Sequence, residues 1–189
     1  MTEEEKLKLK KVYSQRLRKI AKARSEPLIE NIKEAFAGIP YPKDENLIST
    51  PEHRAECDEC QEIYHFFVGK TWKETLNKES SGLLSHARSF FLPLAWQYYL
   101  PAYLIRLIRK NSFISSDLEP NEEPELTDWE KNRIKLLTSR QCNVIIKYLK
   151  IANELWQGDD YREARTLKAL DYWKENYRNA LAKEQNLNE

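Results

Sequence analysis

The chain has 189 residues, of which 41% are hydrophobic, 11% aromatic and 32% charged, and its formal net charge is +1. This length suits one domain with or without helical extensions, and the aromatic content favours a helix-rich globular protein over a disordered chain. A net charge so close to zero provides no field that attracts nucleic acid or a membrane surface, so we expect neither as a partner. With four glycines in all, the chain has no Gly-rich loop of the kind that binds nucleotides.

The start of the chain, MTEEEKLKLKKVYSQRLRK, is charged throughout and lacks the apolar core of a secretory signal. The most apolar run, Phe90 to Ile105, is shorter than the roughly 20 residues of a membrane span and contains Gln97 and two prolines. The number of cysteines is three, which is odd. We therefore predict a cytoplasmic protein with reduced thiols.

The first third of the chain carries helical signals with two interruptions. A charged helix is predicted over residues 3–24, followed by a break at residues 25–27 and a second helix that begins at Pro27 and ends near Ala37. After a loop, Thr50 as N-cap and Pro51 in the first turn predict a helix that runs to about Val68. Three glycines follow periodic apolar stretches and are predicted helix C-caps: Gly38, Gly69 and Gly158.

The remaining two thirds are also predicted to be helical. Thr71 caps a short helix, and helical segments lie on both sides of Pro101. An irregular loop spans residues 111–126. The capping boxes TDWE (127–130) and TSRQ (138–141) open two further helices, and GDDYRE starts the last one. The inward residues of the last two helices are predicted from their spacing: Cys142, Ile145, Leu149, Ala152 and Trp156, then Ala164, Leu167, Leu170, Trp173, Tyr177 and Leu181.

No segment shows sustained two-residue alternation, so we predict an all-α fold, a compact bundle of about six to eight helices with little or no sheet. Its organisation is predicted in three parts. Residues 1–25 form a charged N-terminal helical extension, residues 26–157 form the helical core domain, and residues 158–189 form a C-terminal helix packed on the core.

A histidine–cysteine cluster, HRAECDECQEIYH, occupies residues 53–65 with the spacing H-x3-C-x2-C-x4-H. His53, Cys57 and Cys60 are candidate metal ligands, because zinc takes tetrahedral ligands from Cys and His and C-x2-C is common in its sites. In one regular helix from Pro51, however, these three residues extend over two turns of about 5.4 Å each and converge poorly. His65 would point away from them.

Two other interpretations of the cluster stay open. Cys57, Cys60, Tyr64 and Phe67 continue one helical stripe, so the cysteines are interpreted as small buried hydrophobic residues. A redox function is the least favoured, because a redox C-x-x-C usually begins a helix and this one is predicted in the middle of a helix.

The aromatic segment SFFLPLAWQYYLPAYLIRLIRK contains four candidate binding residues: Trp96, Tyr98, Tyr99 and Tyr103. Tyrosine hydroxyls inside an apolar segment need hydrogen-bond partners, which either a bound ligand or the protein itself provides. The segment is therefore either one wall of a ligand pocket or a central helix around which the others pack.

The charges are segregated along the chain. Nine cations lie between Lys6 and Arg24, and this helix face is interpreted as solvated or as a docking arm for a partner. Seven carboxylates and no basic residue lie in the acidic loop 112–130. This loop is predicted to bind either a basic partner or a basic patch of the same chain, for instance Arg106, Arg109 and Lys110. No catalytic signature occurs, so nothing in the sequence argues for an enzyme.

Several motifs resemble a bacterial domain family of unknown function with A-F-x-G-[IV]-P, C-x-x-C and Y-Y-L-P-A motifs. The segments that carry the resemblance are AFAGIPYP, HRAECDECQE, FVGKTW, SFFLPLAWQYYLPAYL and LTSRQCNVIIKYL. The resemblance covers roughly Ile29 to Leu155 and leaves both end helices as additions. It implies a shared fold and no particular activity. Analogy with small helical bacterial proteins adds an immunity-like or regulatory role.

The favoured function is therefore that of a cytoplasmic helical protein that acts by protein–protein interaction, as an immunity-like or regulatory partner. One alternative is a metal-binding module centred on His53, Cys57 and Cys60, with zinc as the metal. The other is a small-molecule-binding protein or enzyme with an aromatic pocket at Tyr98, Tyr99 and Tyr103. Apart from zinc we expect no cofactor, and the oligomeric state stays open.

Overall fold

The computed structural model describes residues 3–49, 51–76, 81–110, 112–113, 118–119 and 128–187. These residues form eight α-helices and two short 3-10 helices, Asp44–Asn46 and Glu74–Leu76. Within the described ranges the only β pairing is one antiparallel bridge between Ile48 and Phe91. The predicted all-α fold is confirmed. The α-helices are α1 Glu3–Ala35, α2 Pro51–Glu56, α3 Asp58–Phe67, α4 Ser81–Ala87, α5 Pro93–Arg109, α6 Asp128–Lys135, α7 Ser139–Trp156 and α8 Asp160–Asn186.

Residue contacts divide the chain into two units. The first unit consists of Met1–Asn31, Leu107–Pro120 and Ser139–Glu189, and the second of Ile32–Arg106 and Asn121–Thr138. The predicted division into residues 1–25, 26–157 and 158–189 stays a prediction. No helix in the described part of the chain has the length and apolar character that crossing a bilayer requires.

The predicted helix break at residues 25–27 is wrong, because α1 continues through Pro27. An internal proline removes one backbone hydrogen bond and costs about 3 kcal/mol. Apolar residues on both sides of the proline are nevertheless buried on one stripe, among them Ala21, Leu28 and Ile32. Full burial of one Leu or Ile contributes about 1.5–3 kcal/mol, so the buried stripe outweighs the local cost of Pro27.

The helical segments predicted on the two sides of Pro101 are likewise one helix, α5, with the proline in its interior. Every side chain of α5 from Tyr98 to Ile108 is buried. A helical stretch that is apolar on nearly all sides is expected to be buried, and the charged Arg106 is buried together with the apolar residues of this stretch.

The predicted helix-end signals are confirmed where the structure describes them. Gly38, Gly69 and Gly158 all have positive φ, between 70° and 83°, which a residue without Cβ adopts at no steric cost. Thr71 caps the 3-10 helix, since the Glu74 N–H donates to its Oγ1 and the Glu74 carboxylate accepts from its N–H at 2.7 Å. The predicted caps Thr50 and Thr127 lie outside the described residues.

In the first unit, α7 and α8 pack against each other. Helix α7 begins at Ser139, as the TSRQ capping box predicts. The N–H and Oγ of Ser139 donate to the Glu184 carboxylate of α8 at 2.7 and 2.6 Å, which stabilises the start of α7. The predicted inward stripe of α7 is buried from Cys142 to Ala152, and Trp156 is half-buried.

The predicted stripe of α8 is partly wrong. Leu170 and Trp173 are buried as predicted, whereas Ala164, Leu167 and Leu181 are exposed. Steps of three residues turn a helix by about 300°, so a stripe built on them drifts away from one face. The observed buried stripe of α8 consists of Thr166, Ala169, Leu170 and Trp173.

Most of the acidic loop lies outside the described residues, including Asp117, Glu122, Glu123 and Glu125. Within it, Glu119 accepts from Arg165 Nε of α8 at 2.6 Å, and its side chain is 8% exposed. This carboxylate therefore forms an ion pair with a cation of its own chain. The cation is Arg165, which lies outside the basic patch that the sequence suggested.

Candidate metal site

The candidate site lies where the predicted helix Pro51–Val68 is interrupted. Helix α2 ends at Glu56, Cys57 is extended with φ −123° and ψ 104°, and α3 begins at Asp58. The prediction of one regular helix through Cys57 is therefore wrong. Cys57 is instead the N-cap of α3, and its Sγ accepts from the Cys60 N–H at 3.3 Å.

The sequence CDEC explains this second helix start. Asp58 and Glu59 occupy the first turn of α3, where carboxylates interact favourably with the helix dipole. The Gln61 side chain donates to the Ala55 carbonyl at 3.2 Å, which supplies a partner near the end of α2. Acidic residues directly after Cys57 thus stabilise a new N-terminus without the glycine that a tight turn usually needs.

The interruption brings the three candidate ligands together. His53, Cys57 and Cys60 each offer a ligand atom, and these atoms all lie within 4.8 Å of one another. Exposure decreases along the group: His53 is exposed, Cys57 is half-buried and Cys60 is 1% exposed. The site is therefore anchored in the protein at Cys60 and open to solvent at His53.

The spacing fits a zinc ion after a small adjustment. With Zn–S of about 2.3 Å and Zn–N of about 2.0–2.1 Å, tetrahedral geometry separates neighbouring ligand atoms by about 3.5–3.8 Å. The observed limit of 4.8 Å exceeds this by about 1 Å, which side-chain rotation can supply. Two thiols and one imidazole form a donor set typical of zinc.

The environment of Cys60 favours its neutral thiol in the absence of metal. Burial raises the pKa of Cys60 above its ordinary value, and the neighbouring Cys57 adds to the shift. Ser49 opposes this shift, although its buried Oγ makes no hydrogen bond of regular geometry to a described residue. Zinc binding would therefore displace the Cys60 proton, and Ser49 is a neighbour of the site that the sequence did not indicate.

Two other residues near the site have separate roles. The Glu59 carboxylate contacts Nε2 of His86 on α4, so this carboxylate is engaged away from the three ligands. His65 lies outside the ligand group, as predicted, and its ring contacts the Tyr64 ring edge-on at a centroid distance of 5.8 Å. Of the described histidines, His53 alone belongs to the group.

The four aromatic candidates for ligand binding are all buried: Trp96, Tyr98, Tyr99 and Tyr103. Backbone groups provide hydrogen-bond partners for the hydroxyls of Tyr98 and Tyr99. Tyr99 donates to the Lys70 carbonyl at 2.7 Å, and burial raises the pKa of Tyr98 and of Tyr99. The nearby Tyr41 donates to Asp44 at 2.6 Å, and its pKa rises to about 12, chiefly through burial.

The cavity beside these aromatic residues is small. Trp96, Tyr99 and Tyr103 contribute to its lining, and its volume is about 10 Å³. A cavity of this size holds about one water molecule. The four aromatic residues therefore belong to the buried core of the second unit. Ligand binding by these residues stays a prediction, and the small cavity does not support it.

Replacing Tyr99 by phenylalanine should lower the free energy of unfolding by about 1–3 kcal/mol, because the Lys70 carbonyl loses its buried hydroxyl donor. Urea titration followed by circular dichroism measures the change. Tyr161→Phe is the matched control, since Tyr161 is 68% exposed and its loss should stay within about 0.5 kcal/mol. Equal stability of the two variants would contradict the structural role of the Tyr99 hydroxyl.

The fold and the site together define an all-α protein with a two-cysteine, one-histidine group at a helix start. Residues 24–177 match the model of a family of unknown function, DUF6714, and the chain belongs to this family. The match confirms that the chain belongs to an uncharacterised family, and it extends beyond the expected 29–155 at both ends, into α8 at the C-terminal end. The bacterial origin and the particular motifs of the resemblance stay predictions. Neither the curated proteins nor the solved structures contain a match to the chain.

Proposed function

We propose that the chain is a zinc-binding protein in which His53, Cys57 and Cys60 hold one ion and a water molecule completes the tetrahedron. The observation that carries the proposal is the interruption of the helix at Cys57, which places the three ligand atoms within 4.8 Å. In an uninterrupted helix the same residues would diverge along about two turns.

The chemistry of the ligands supports zinc over the hard cations. Thiolate and imidazole are soft or borderline ligands that suit zinc, whereas magnesium and calcium take oxygen ligands. No carboxylate of the described residues joins the group. Glu59, the acidic residue next to Cys60, is paired with His86 instead.

The solvent-exposed side of the site supports water as the fourth ligand. Zinc sites with three protein ligands keep one position for water or another small ligand. Among the described residues the group has three members, and the side occupied by His53 is exposed. The ion would then link the end of α2 to the start of α3.

Metal binding is tested on the untagged full chain, purified under reducing conditions, stripped with a chelator and titrated with zinc against a chromophoric competitor. We expect one equivalent to bind. Because a ligand at 100 times its Kd stabilises the folded state by about 2.7 kcal/mol, saturating zinc should raise Tm by about 5–10 °C, and the chelator should reverse the rise.

A matched pair of histidine variants distinguishes the site from adventitious binding. His53→Gln should abolish the rise in Tm, whereas His65→Gln, on the exposed side of α3, should preserve it. Failure of the native protein to bind zinc, or an equal rise in Tm for both variants, would refute the proposed site.

A second function stays a prediction: the chain docks a protein partner in the bacterial cytoplasm and has an immunity-like or regulatory role. Exposed aromatic residues often supply the anchors of a protein interface. Trp96, Tyr98, Tyr99 and Tyr103 are buried, so they offer no such surface. The geometry therefore supports metal binding better than it supports partner docking.

A further inference from the structure

The two cysteines of the candidate metal site also form a pair suited to disulfide chemistry. Cys57 is the N-cap of the ten-residue helix α3, and Cys60 lies in its first turn. Residues three apart at a helix start have Cα atoms about 5 Å apart, inside the 4.4–6.8 Å range that disulfides span. The two sulfur atoms already lie within 4.8 Å of each other.

The two cysteines differ in access to solvent. Cys57 is half-buried and can meet a reagent from solution, whereas Cys60 is 1% exposed. This asymmetry suits a two-step reaction in which the accessible thiol reacts first and the buried thiol resolves the product. The third cysteine, Cys142, is buried on α7 and has no cysteine among its charge or hydrogen-bond neighbours.

We propose that Cys57 and Cys60 are oxidised to an intramolecular disulfide by a low-molecular-weight disulfide, and that this oxidation releases the metal. This inference rests on the proposed zinc site. Because oxidation removes two of the three protein ligands, metal occupancy depends on the thiol–disulfide balance of the compartment. Disulfides in reducing compartments are usually transient and serve catalysis or redox sensing, which agrees with the predicted cytoplasmic location.

The reaction balances as two thiol–disulfide exchanges. The Cys57 thiolate attacks one sulfur of the small disulfide RSSR, the S–S bond breaks, and one RS⁻ leaves. The Cys60 thiolate then attacks the Cys57 sulfur of the mixed disulfide and expels the second RS⁻. In the metal-free chain the protein loses two electrons and the two thiol protons, and the reagent gains them as two molecules of RSH. In the zinc-loaded chain the ion leaves, because the disulfide no longer offers thiolate ligands.

The test uses the reduced full chain, metal-free and zinc-loaded, exposed to glutathione disulfide, then quenched in acid, alkylated and mapped by mass spectrometry. We expect a peptide linked through Cys57 and Cys60, with Cys142 alkylated. One equivalent of zinc should appear at a chromophoric chelator for each disulfide formed. Dithiothreitol should restore both the free thiols and zinc binding.

Variants assign the order of the steps. Cys60→Ser, or Cys60→Ala if the serine variant does not fold, should trap glutathione on Cys57, because the resolving thiol is absent. Cys57→Ser should form neither product. Cys142→Ala is the matched control and should form the linked peptide and release zinc like the native chain.

The outcomes separate this inference from the proposed function. If the reduced chain binds zinc but excess glutathione disulfide forms no Cys57–Cys60 linkage in the metal-free chain, the inference is overturned and the zinc site stands. If the linkage forms while zinc stays bound, the release is overturned. If the reduced chain does not bind zinc, the proposed zinc release is overturned together with the proposed function, whether or not the Cys57–Cys60 disulfide forms.

Discussion

Replacing Cys57 by serine should weaken zinc binding about 100-fold. Structural zinc sites contribute about 10–16 kcal/mol through four ligands, or about 2.5–4 kcal/mol for each, and every 1.4 kcal/mol changes the affinity tenfold. Serine keeps nearly the same side-chain size, but its hydroxyl stays protonated at neutral pH and therefore does not replace the thiolate as a zinc ligand. Competition with a chromophoric chelator at fixed pH measures the change in affinity.

Cys142→Ala provides the matched control for this loss. Cys142 is a free cysteine on α7, in the other unit from the site, so its removal should leave the zinc affinity unchanged. Zinc binding of native strength in Cys57→Ser would exclude the Cys57 thiolate as a ligand. A parallel loss in Cys142→Ala would show that the change in affinity is nonspecific.

Replacing Arg133 by methionine should lower the free energy of unfolding by about 3 kcal/mol. Arg133 is 7% exposed, and its Nη2 donates to the carbonyls of Arg88 at 3.0 Å and Phe91 at 2.5 Å. Hydrogen bonds from a charged donor each contribute about 1.5–3 kcal/mol, and methionine leaves both carbonyls without this donor. The guanidinium thus links α6 to the turn between α4 and α5. Urea titration measures the loss.

Lys135→Met, an exposed position on the same helix, is the matched control and should change stability by no more than about 0.5 kcal/mol. Arg133→Lys should give an intermediate loss, because an ammonium group keeps the charge but lacks the planar fork that serves several carbonyls. If Arg133→Met is as stable as Lys135→Met, the carbonyl contacts contribute nothing measurable.

Much of the helical architecture follows from local signals. Gly38, Gly69 and Gly158 adopt positive φ just past helix ends, because glycine lacks the Cβ that makes this conformation costly for other residues. The residue at which α7 starts, Ser139, agrees with the TSRQ motif, and most of the buried stripe of α7 follows from its spacing. These features depend on residues within one or two turns, so the sequence suffices to predict them.

The sequence-based predictions fail where contacts between residues far apart in the sequence determine the structure. Pro27 and Pro101 lie inside helices because buried apolar stripes outweigh their local cost. The partners of Arg133 lie more than 40 residues away in sequence, and no local pattern indicates them. The Tyr99 hydroxyl, a candidate for ligand recognition, is bonded to a backbone carbonyl 29 residues earlier.

The ligand set of the site was predictable, and its geometry was not. The sequence identifies His53, Cys57 and Cys60 by residue type and spacing. Asp58 and Glu59 are compatible with the middle of an exposed helix and equally with the first turn of a new one. The structure adopts the second arrangement, and the extended conformation of Cys57 then brings the ligand atoms together.

Zinc K-edge X-ray absorption of the loaded, reduced full chain tests the central claim most directly. The proposed site predicts two sulfur ligands at about 2.3 Å and two nitrogen or oxygen ligands at about 2.0–2.1 Å, one of them the imidazole of His53 and the other water. A coordination shell without sulfur, or with one sulfur, would contradict a zinc ion held by Cys57 and Cys60.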